Sequence, residues 1–154
     1  MTYLRAEDTL SGTQGTATAS IDGLVQDLFF LKTFEATLTK KKVALNVLGR
    51  RGEQHKAAGW SGKGSLNMYY ITSIFRNLAS VYNLTGKDTY FNITVTNEDA
   101  NSTVGTQTLT LYNCNMDSAV LAKLDVGSEA LDEDADFTFD DFIVLNAFGQ
   151  PVAL

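Results

Sequence analysis

Residues Leu31 to Ser65 read LKTFEATLTKKKVALNVLGRRGEQHKAAGWSGKGS, and this stretch gives the strongest indication of the fold. Apolar and polar residues alternate over its first part, and a period of two predicts a strand. The three lysines at 40–42 predict a basic turn, and the alternating residues 43–47 predict a return strand. Arg50 to Gly62 has no apolar period, so we expect a long polar loop, and such loops are usually functional or mobile. Five glycines lie in or beside this loop: Gly49, Gly52, Gly59, Gly62 and Gly64.

Alternation also predicts strands before and after this stretch. Thr16–Ile21 alternates cleanly, and the Asp22-Gly23 pair that follows predicts a tight hairpin turn, because glycine tolerates a positive φ. We expect the next strand to run from Leu24 or Leu28 to Thr39. Further strands are predicted at 66–70, 91–96, 109–116 with a bulge near Tyr112 or Asn113, 120–126 and 137–144 with a change of face at Asp140-Asp141.

One segment predicts a helix. Thr72 or Ser73 can cap its start, and Gly86 lies where such a helix would end. The apolar residues between them fall on one stripe, as in a helix with one buried side. They are Ile74, Phe75, Leu78, Val81 and Tyr82. We expect a structural helix across the sheet core, and about eight strands with one helix predict a mainly β fold, an antiparallel barrel or sandwich.

Length and composition predict one domain over residues 1–154. Residues 1–14 are polar and lack a period, so we expect an N-terminal arm there. The chain has one cysteine, Cys114, which excludes an internal disulfide. No apolar run approaches the roughly 20 residues that span a bilayer. No signal-peptide pattern is present either, so we expect synthesis in the cytoplasm and no membrane partner.

Charge is divided unevenly along the chain. Residues 1–90 contain 11 Lys and Arg against 7 Asp and Glu, whereas residues 91–154 contain 1 against 11. A solvated surface with uneven charge would explain this division. Two complementary patches on one subunit would also explain it, and they would favour head-to-tail contacts that form rings or filaments.

Residues with catalytic potential are sparse. His55 is the only histidine, and a nucleophilic pair with Cys114 would need a third, orienting group. We interpret Cys114 as a small buried apolar residue. The sequence therefore predicts a protein that is not an enzyme and needs no cofactor.

The acidic segment before Phe137 has two interpretations. Asp132, Asp134 and Asp136 match the opening of a calcium loop, but Phe137 and Ile143 stand where that loop needs Gly and Glu. A looser cation site is one alternative, formed by Glu129, Asp132, Glu133 and Asp136. The other is an exposed acidic edge that discourages uncontrolled strand pairing.

The glycine-rich loop has no complete binding motif. A phosphate-binding loop would need Gly where Ala57 stands and Ser or Thr where Gly64 stands. Trp60 is expected either to pack on its own domain or to anchor an interface. With Trp60, the basic residues could contact nucleic acid, but no readout motif accompanies them and the overall acidic charge argues against tight binding.

Two stretches, Leu31–Phe75 and Leu111–Phe142, resemble the tail tube (core tail) proteins of contractile phage tails and phage-tail-like particles of Gram-positive prophages. The resemblance is carried by LKTFEA from Leu31, LGRR from Leu48, the His55-Lys56 pair with its glycine-rich continuation, LYNCNMDSA from Leu111 and LDVGSEALDEDADFTFDDF from Leu124.

This resemblance implies a structural protein of tail-tube fold that forms rings of six subunits. The rings would stack into the hollow inner tube of a contractile tail or bacteriocin, and long hairpins would line its channel. The implied partners are further copies of the chain, the sheath, the baseplate and the tail terminator, with DNA only as passing cargo. The implied location is the virion tail tube or a tail-like particle made in the bacterial host.

We expect the basic loop and the N-terminal arm to reach the adjacent ring and meet acidic residues there. The interface candidates are Arg50, Arg51, His55, Lys56, Trp60, Asp132, Glu133, Asp134 and Asp136. The main alternative is a monomeric β-sandwich module that binds a glycan or a protein. It would use Trp60, Tyr69 and Tyr70 as an aromatic platform.

Overall fold

The structure, a computed structural model, describes residues 3–28 and 30–150. Within these ranges it contains eight strands, one α-helix and two 3₁₀ turns. The strands are β1 (Thr16–Ile21), β2 (Leu24–Asp27), β3 (Leu31–Leu45), β4 (Gln54–Tyr69), β5 (Phe91–Asn97), β6 (Gln107–Met116), β7 (Asp132–Phe139) and β8 (Asp141–Asn146). The helix α1 is Ile74–Thr85, and the 3₁₀ turns are Ala6–Asp8 and Gly12–Gln14.

All strands belong to one antiparallel sheet in the order β2-β1-β5-β6-β7-β4-β3, with β8 paired to β6 outside this path. Strand β6 connects two layers, because residues 107–114 pair with β5 and β8 whereas Asn115 and Met116 pair with β7. The sheet folds over itself as a sandwich and does not close among the described residues. The predicted mainly β, antiparallel fold is confirmed.

The core lies between the two layers. Ile93 and Leu111 contribute from one layer, Met68 and Phe137 from the other, and each is at most 2% exposed. Across the β4–β7 ladder, Phe137 lies opposite Gly64 and Phe139 opposite Gly62. A Cβ atom on either glycine would overlap the facing ring. The glycines therefore allow these rings to lie flat against the backbone of β4.

We predict that Gly64→Ala destabilises the fold by about 1–3 kcal/mol, because a side chain at this position overpacks the core against Phe137. Urea unfolding followed by circular dichroism measures this loss. Gly12→Ala is the matched control, since its Cβ would meet nothing within 4 Å. Equal unfolding midpoints for the two variants would contradict this account of the packing.

The predicted turn at Asp22-Gly23 is confirmed. Asp22 has φ 51° and Gly23 φ 82°, and they connect β1 to β2 in a two-residue hairpin. The strand predicted from Leu24 or Leu28 to Thr39 is instead two strands, β2 and β3, of which the second continues to Leu45.

The basic turn predicted at 40–42 is wrong, because the three lysines lie inside β3. The long polar loop predicted from Arg50 to Gly62 is also wrong, since β4 already begins at Gln54 and only residues 46–53 form the connection. Both errors have one cause. Residues 40–45 and 54–59 are exposed on both faces, so no buried side enforces an apolar period there, and main-chain pairing holds these parts of the strands.

The strand predicted at Val120–Val126 is absent from the described residues, where 117–131 is a loop and the next strand begins at Asp132. Leu124 is 96% and Val126 106% exposed. Their apolar alternation therefore does not correspond to a buried face.

Helix α1 is confirmed between the predicted limits. Thr72 Oγ1 accepts from the Ile74 N–H at 3.4 Å, and Gly86 ends the helix with φ 71°. The predicted stripe is only partly buried, since Phe75 is buried whereas Val81 and Tyr82 are exposed. Phe75 contacts Phe91 at a ring-centroid distance of 6.0 Å, so the first turns hold the helix to the sheet. Among the described residues, no helix has the length and apolarity needed to cross a membrane.

The bulge predicted near Tyr112 or Asn113 is confirmed. Asn113 has φ 54°, and the register between β5 and β6 shifts between Phe91 and Ile93. The change of face predicted at Asp140-Asp141 is also present, because Phe139 and Phe142, which are three residues apart, both pack on Trp60.

The first residues of the described chain pack on the loop between β5 and β6. Asp8 is buried, and its Oδ1 accepts from the Thr103 N–H at 2.9 Å and the Thr103 hydroxyl at 2.7 Å. Ser11 N–H donates to Asp99 Oδ2 at 3.0 Å. Hydrogen bonds from the Thr103 backbone and side chain lower the pKa of Asp8. These bonds hold the 3₁₀ turns against their own domain.

Candidate assembly interface

The β3–β4 hairpin projects beyond the rest of the sheet. Pairing of β4 with β7 stops at Gly62, whereas pairing with β3 continues to Leu45 and Gln54. The resulting two-stranded ribbon is about 25 Å long at the usual rise of a strand. Residues 37–45 and 54–59 are exposed. A two-stranded ribbon is at best marginally stable in water, so both of its free edges are suited to pairing with another chain.

A bulge bends the ribbon near its middle. Lys40 pairs with Trp60 and Lys42 with Ala57, so β4 has one residue more than β3 between these pairs. Gly59 supplies the left-handed conformation there, with φ 115°. The extra residue leaves Ala57 and Trp60 on the same face of the ribbon.

The basic interface candidates lie at the distal end of the ribbon. Arg50 and Arg51 are exposed in the connection, and His55 and Lys56 are exposed at the start of β4. His55 pairs with Ala44 and Lys56 with the preceding residue of β3, so their side chains point to opposite faces. The structure therefore brings these four residues together.

Trp60 lies apart from this basic group. Its ring centroid is 5.9 Å from that of Phe139 and 5.8 Å from that of Phe142, and the side chain is half-buried. The indole thus supports the base of the ribbon against the junction of β7 and β8. Of the two predicted roles, packing on its own domain is the one that the geometry supports.

The acidic candidates follow the alternation of β7. Asp132 accepts from Lys32 at 3.2 Å and from Lys123 at 3.1 Å. Hydrogen bonds from Lys123 and then Lys32 lower its pKa. Asp134 bonds to Asn67, and Asp136 is exposed with no side-chain bond to its carboxylate in the described part of the chain.

Glu133 points into the sandwich. Its side chain is 5% exposed, and its Oε2 lies 2.7 Å from Nη1 of Arg76. The same guanidinium donates to the carbonyl oxygens of Thr72 and Val120 and stacks over Tyr70 at 4.3 Å. This ion pair holds α1 and the loop 117–131 against β7. Glu133 therefore binds within its own subunit and is not exposed for an interface.

We predict that Arg76→Ala destabilises the subunit by about 3–5 kcal/mol, because it leaves the Glu133 charge buried and unpaired. Guanidinium unfolding measures the change. Lys123→Ala is the control: its partner Asp132 is partly exposed and retains Lys32, so we expect a loss within about 1 kcal/mol. A loss for Arg76→Ala no larger than that of the control would show that the buried pair does not hold this region.

The acidic and basic candidates do not meet within one subunit. Asp136 lies opposite Ser65, and the connection with Arg50 and Arg51 begins beyond Gln54. These positions are roughly 35 Å apart along β4. Any pairing between the two groups therefore requires a second subunit.

The alternatives weighed from the sequence find little geometric support. His55 lies about 20 Å or more along the ribbon from the level of Cys114. Burial raises the pKa of the Cys114 thiol to about 12. Within the described residues, no group of three or more His, Cys, Asp or Glu side chains could hold a metal ion. Trp60 and Tyr69 are separated by about 30 Å along β4 and point to opposite faces, so they form no common platform.

Sequence analysis did not assign the residues of a polar face that covers β3, β4 and β7. Their core residues alternate with outward-facing polar ones that lie side by side in register. These are Thr33, Glu35, Thr37 and Thr39 on β3, Asn67, Ser65, Lys63 and Ser61 on β4, and Asp134, Asp136 and Thr138 on β7. The signal was present in the alternation of β4 from Ser61 to Asn67, which a loop interpretation concealed.

The profile of the family described as Phage tail tube protein matches residues 2–146. The chain belongs to this family. The phage-like element PBSX protein XkdM of Bacillus subtilis (strain 168) is 43% identical over 141 residues, which cover 92% of this chain and 93% of XkdM.

Solved structures share the fold at low sequence identity. A chain of the six-fold symmetrised anti-feeding prophage baseplate has a TM-score of 0.68 at 13% identity, with 89% of this chain and 95% of that chain covered. A chain of the sheath–tube complex of the PVC extracellular contractile injection system, in its extended state, also has a TM-score of 0.68, at 12% identity over 96% and 95% of the two chains.

Proposed function

We propose that this protein is the structural subunit of the hollow inner tube of a contractile phage tail or phage-tail-like particle. Six copies form a ring, and rings stack into a tube that serves as a conduit or puncturing tube. Membership of the tail tube family supports the tube, and likeness to a chain of a six-fold symmetrised baseplate supports the number of copies. The chain acts as a single domain over residues 1–154.

The observation that carries this proposal is the β3–β4 ribbon. It projects about 25 Å beyond the sandwich with free edges and exposed faces. Pairing with ribbons of neighbouring subunits removes these edges, and closing the ring removes all of them. In a monomeric binding module, both edges of this ribbon would remain unpaired.

The polar face of β3, β4 and β7 lines the channel in this arrangement. Its other side packs in the core, where Leu66, Ala135 and Phe137 are buried. A wall of threonine, serine and charged side chains remains wet and gives a passing molecule little apolar surface to adhere to. For a true phage the passing molecule is DNA.

Stacking of rings uses the charge division. The exposed Arg50 and Arg51 of one subunit face exposed carboxylates of the adjacent ring, whereas Asp134 and Asp136 stay on the channel face. The N-terminal 3₁₀ turns are held on their own domain, so this contact depends on the ribbon tip. The remaining partners are sheath, baseplate and tail-terminator proteins, and the location is the virion tail tube or a tail-like particle.

The direct test is electron microscopy of purified protein over a concentration series, with molar mass from light scattering. We expect six-fold rings and hollow tubes that appear as the concentration rises, because every ribbon edge gains a partner on association. A monomer at every concentration, even with purified tail baseplates added as nuclei, would reject the proposal.

Reversal of the basic tip should weaken stacking and leave folding unchanged. For Arg50→Glu with Arg51→Glu we expect shorter and fewer tubes at moderate salt, because like charges then face each other across the ring interface. Both residues are exposed, so the stability of the free subunit should stay within about 0.5 kcal/mol of the parent.

Lys87→Glu is the control for the tip variant, because it also reverses an exposed basic residue but lies in the segment after α1, away from the ribbon. Tubes of normal length from the double variant would show that the tip charges do not pair across rings. Short tubes from both variants would assign the loss to net charge.

A further inference from the structure

Apart from the Lys32–Asp132 ion pair at its body end, the polar face carries six exposed charges, and these are separated by sign along the strands. Three carboxylates lie nearest the body of the subunit and three lysines lie toward the ribbon tip. The acidic band is Glu35, Asp134 and Asp136, and the lysine band is Lys63, Lys41 and Lys56. None of the ion pairs found among the described residues involves any of the six.

The ladder fixes the acidic band. Glu35 pairs with Ser65, which pairs with Asp136 on its other side, so two carboxylates flank one serine at the same level. Asp134 lies opposite Asn67, one level further toward the body. Asp134 and Asp136 alternate with buried residues of β7, and Glu35 lies level with Asp136 across Ser65, so the three share the polar face.

The ladder also orients the lysine band. Lys63 lies between Thr37 and Thr138. Lys40 and Lys42 point to the same face as Trp60, so Lys41 between them points to the polar face. Lys56 pairs with Val43 on the polar face of the ribbon. The lysine band extends along β4 from Lys63, two residues from the level of Glu35 and Asp136, to Lys56, and its centre is about 20 Å from that of the acidic band. Lys40 and Lys42 carry the same charge but point to the opposite face.

We propose that the lysine band is an anion-binding level of the channel wall, and that its natural ligand is a polyanion that passes along the channel. This rests on the proposed function, in which the polar face lines the channel. A ring of subunits then presents one lysine band and one acidic band in each repeat. Phosphate-like groups collect at the first and avoid the second.

Neighbouring residues support a phosphate-type ligand. Thr37, Thr39 and Ser61 lie at or next to the level of Lys63 and present hydroxyl donors. Lysine together with serine and threonine side chains is the set with which proteins contact phosphate oxygens independently of sequence. Each contact is weak and screened by salt, so a polyanion can slide from one repeat to the next.

The test compares the channels of assembled tubes in the anionic stain phosphotungstate and the cationic stain uranyl acetate, both at low ionic strength. Axial density profiles of the channel should show one phosphotungstate maximum per ring. The uranyl maximum should fall at a different level. Phosphotungstate density that is uniform along the axis would overturn the proposal.

Two variants with equal changes of charge identify the residues. Lys41→Glu with Lys63→Glu should abolish the phosphotungstate maximum, whereas Lys40→Glu with Lys42→Glu on the opposite face should retain it. Persistence of the maximum in the first variant would overturn the assignment to the lysine band. If that variant forms no tubes, the salt dependence of the phosphotungstate maximum in parent tubes tests the proposal instead.

In parent tubes, raising the salt from about 0.01 M to about 1 M shortens the Debye length from about 30 Å to about 3 Å. The phosphotungstate maximum should then disappear, and a maximum that survives would contradict charge-driven binding. Failure of the proposed function is separable from these outcomes. It would show as absent tubes, or as a reconstruction with Thr37 and Ser61 outside the channel.

Discussion

The packing of Phe137 and Phe139 on Gly64 and Gly62 is the contact on which the rest of the structure depends. It fixes the register between β7 and β4, because a ring can lie flat only where the facing residue has no side chain. A slip of one residue would turn every side chain to the other face. The same contact therefore sets the core on one side and the continuous polar face on the other. It also fixes the strand from which the ribbon projects.

Prediction from sequence succeeded where local chemistry or a buried side constrains the backbone. Asp22-Gly23, the helix limits and the bulge at Asn113 each have a positive φ or a cap that a short motif reveals. The strands of the ribbon were missed in part, because a segment exposed on both faces has no reason to alternate. Their pairing comes from main-chain bonds between β3 and β4, which the side-chain pattern does not encode.

The sequence predicted which charged residues form the site, but not how they are arranged in three dimensions. Sequence analysis located the basic and acidic groups, and the structure collects the first at the ribbon tip. It could not distinguish Glu133 from its neighbours, since the identity of the buried member depends on the parity of β7 and on Arg76 from a distant helix. The members of the polar face could not be assigned for a similar reason, because they come from three strands whose register is a tertiary property.

The ribbon has a kinetic consequence for a subunit that assembles as proposed. Ordering backbone costs about 1–2 kcal/mol per residue, and in the free subunit little packing offsets this cost over the ribbon. Two subunits that meet in solution gain a single ribbon contact, whereas a subunit that joins an existing ring or rim gains several at once. Elongation is then favoured over nucleation. An unpacked hairpin, which is a weakness in an isolated domain, thereby suppresses stray polymers and makes growth depend on a template.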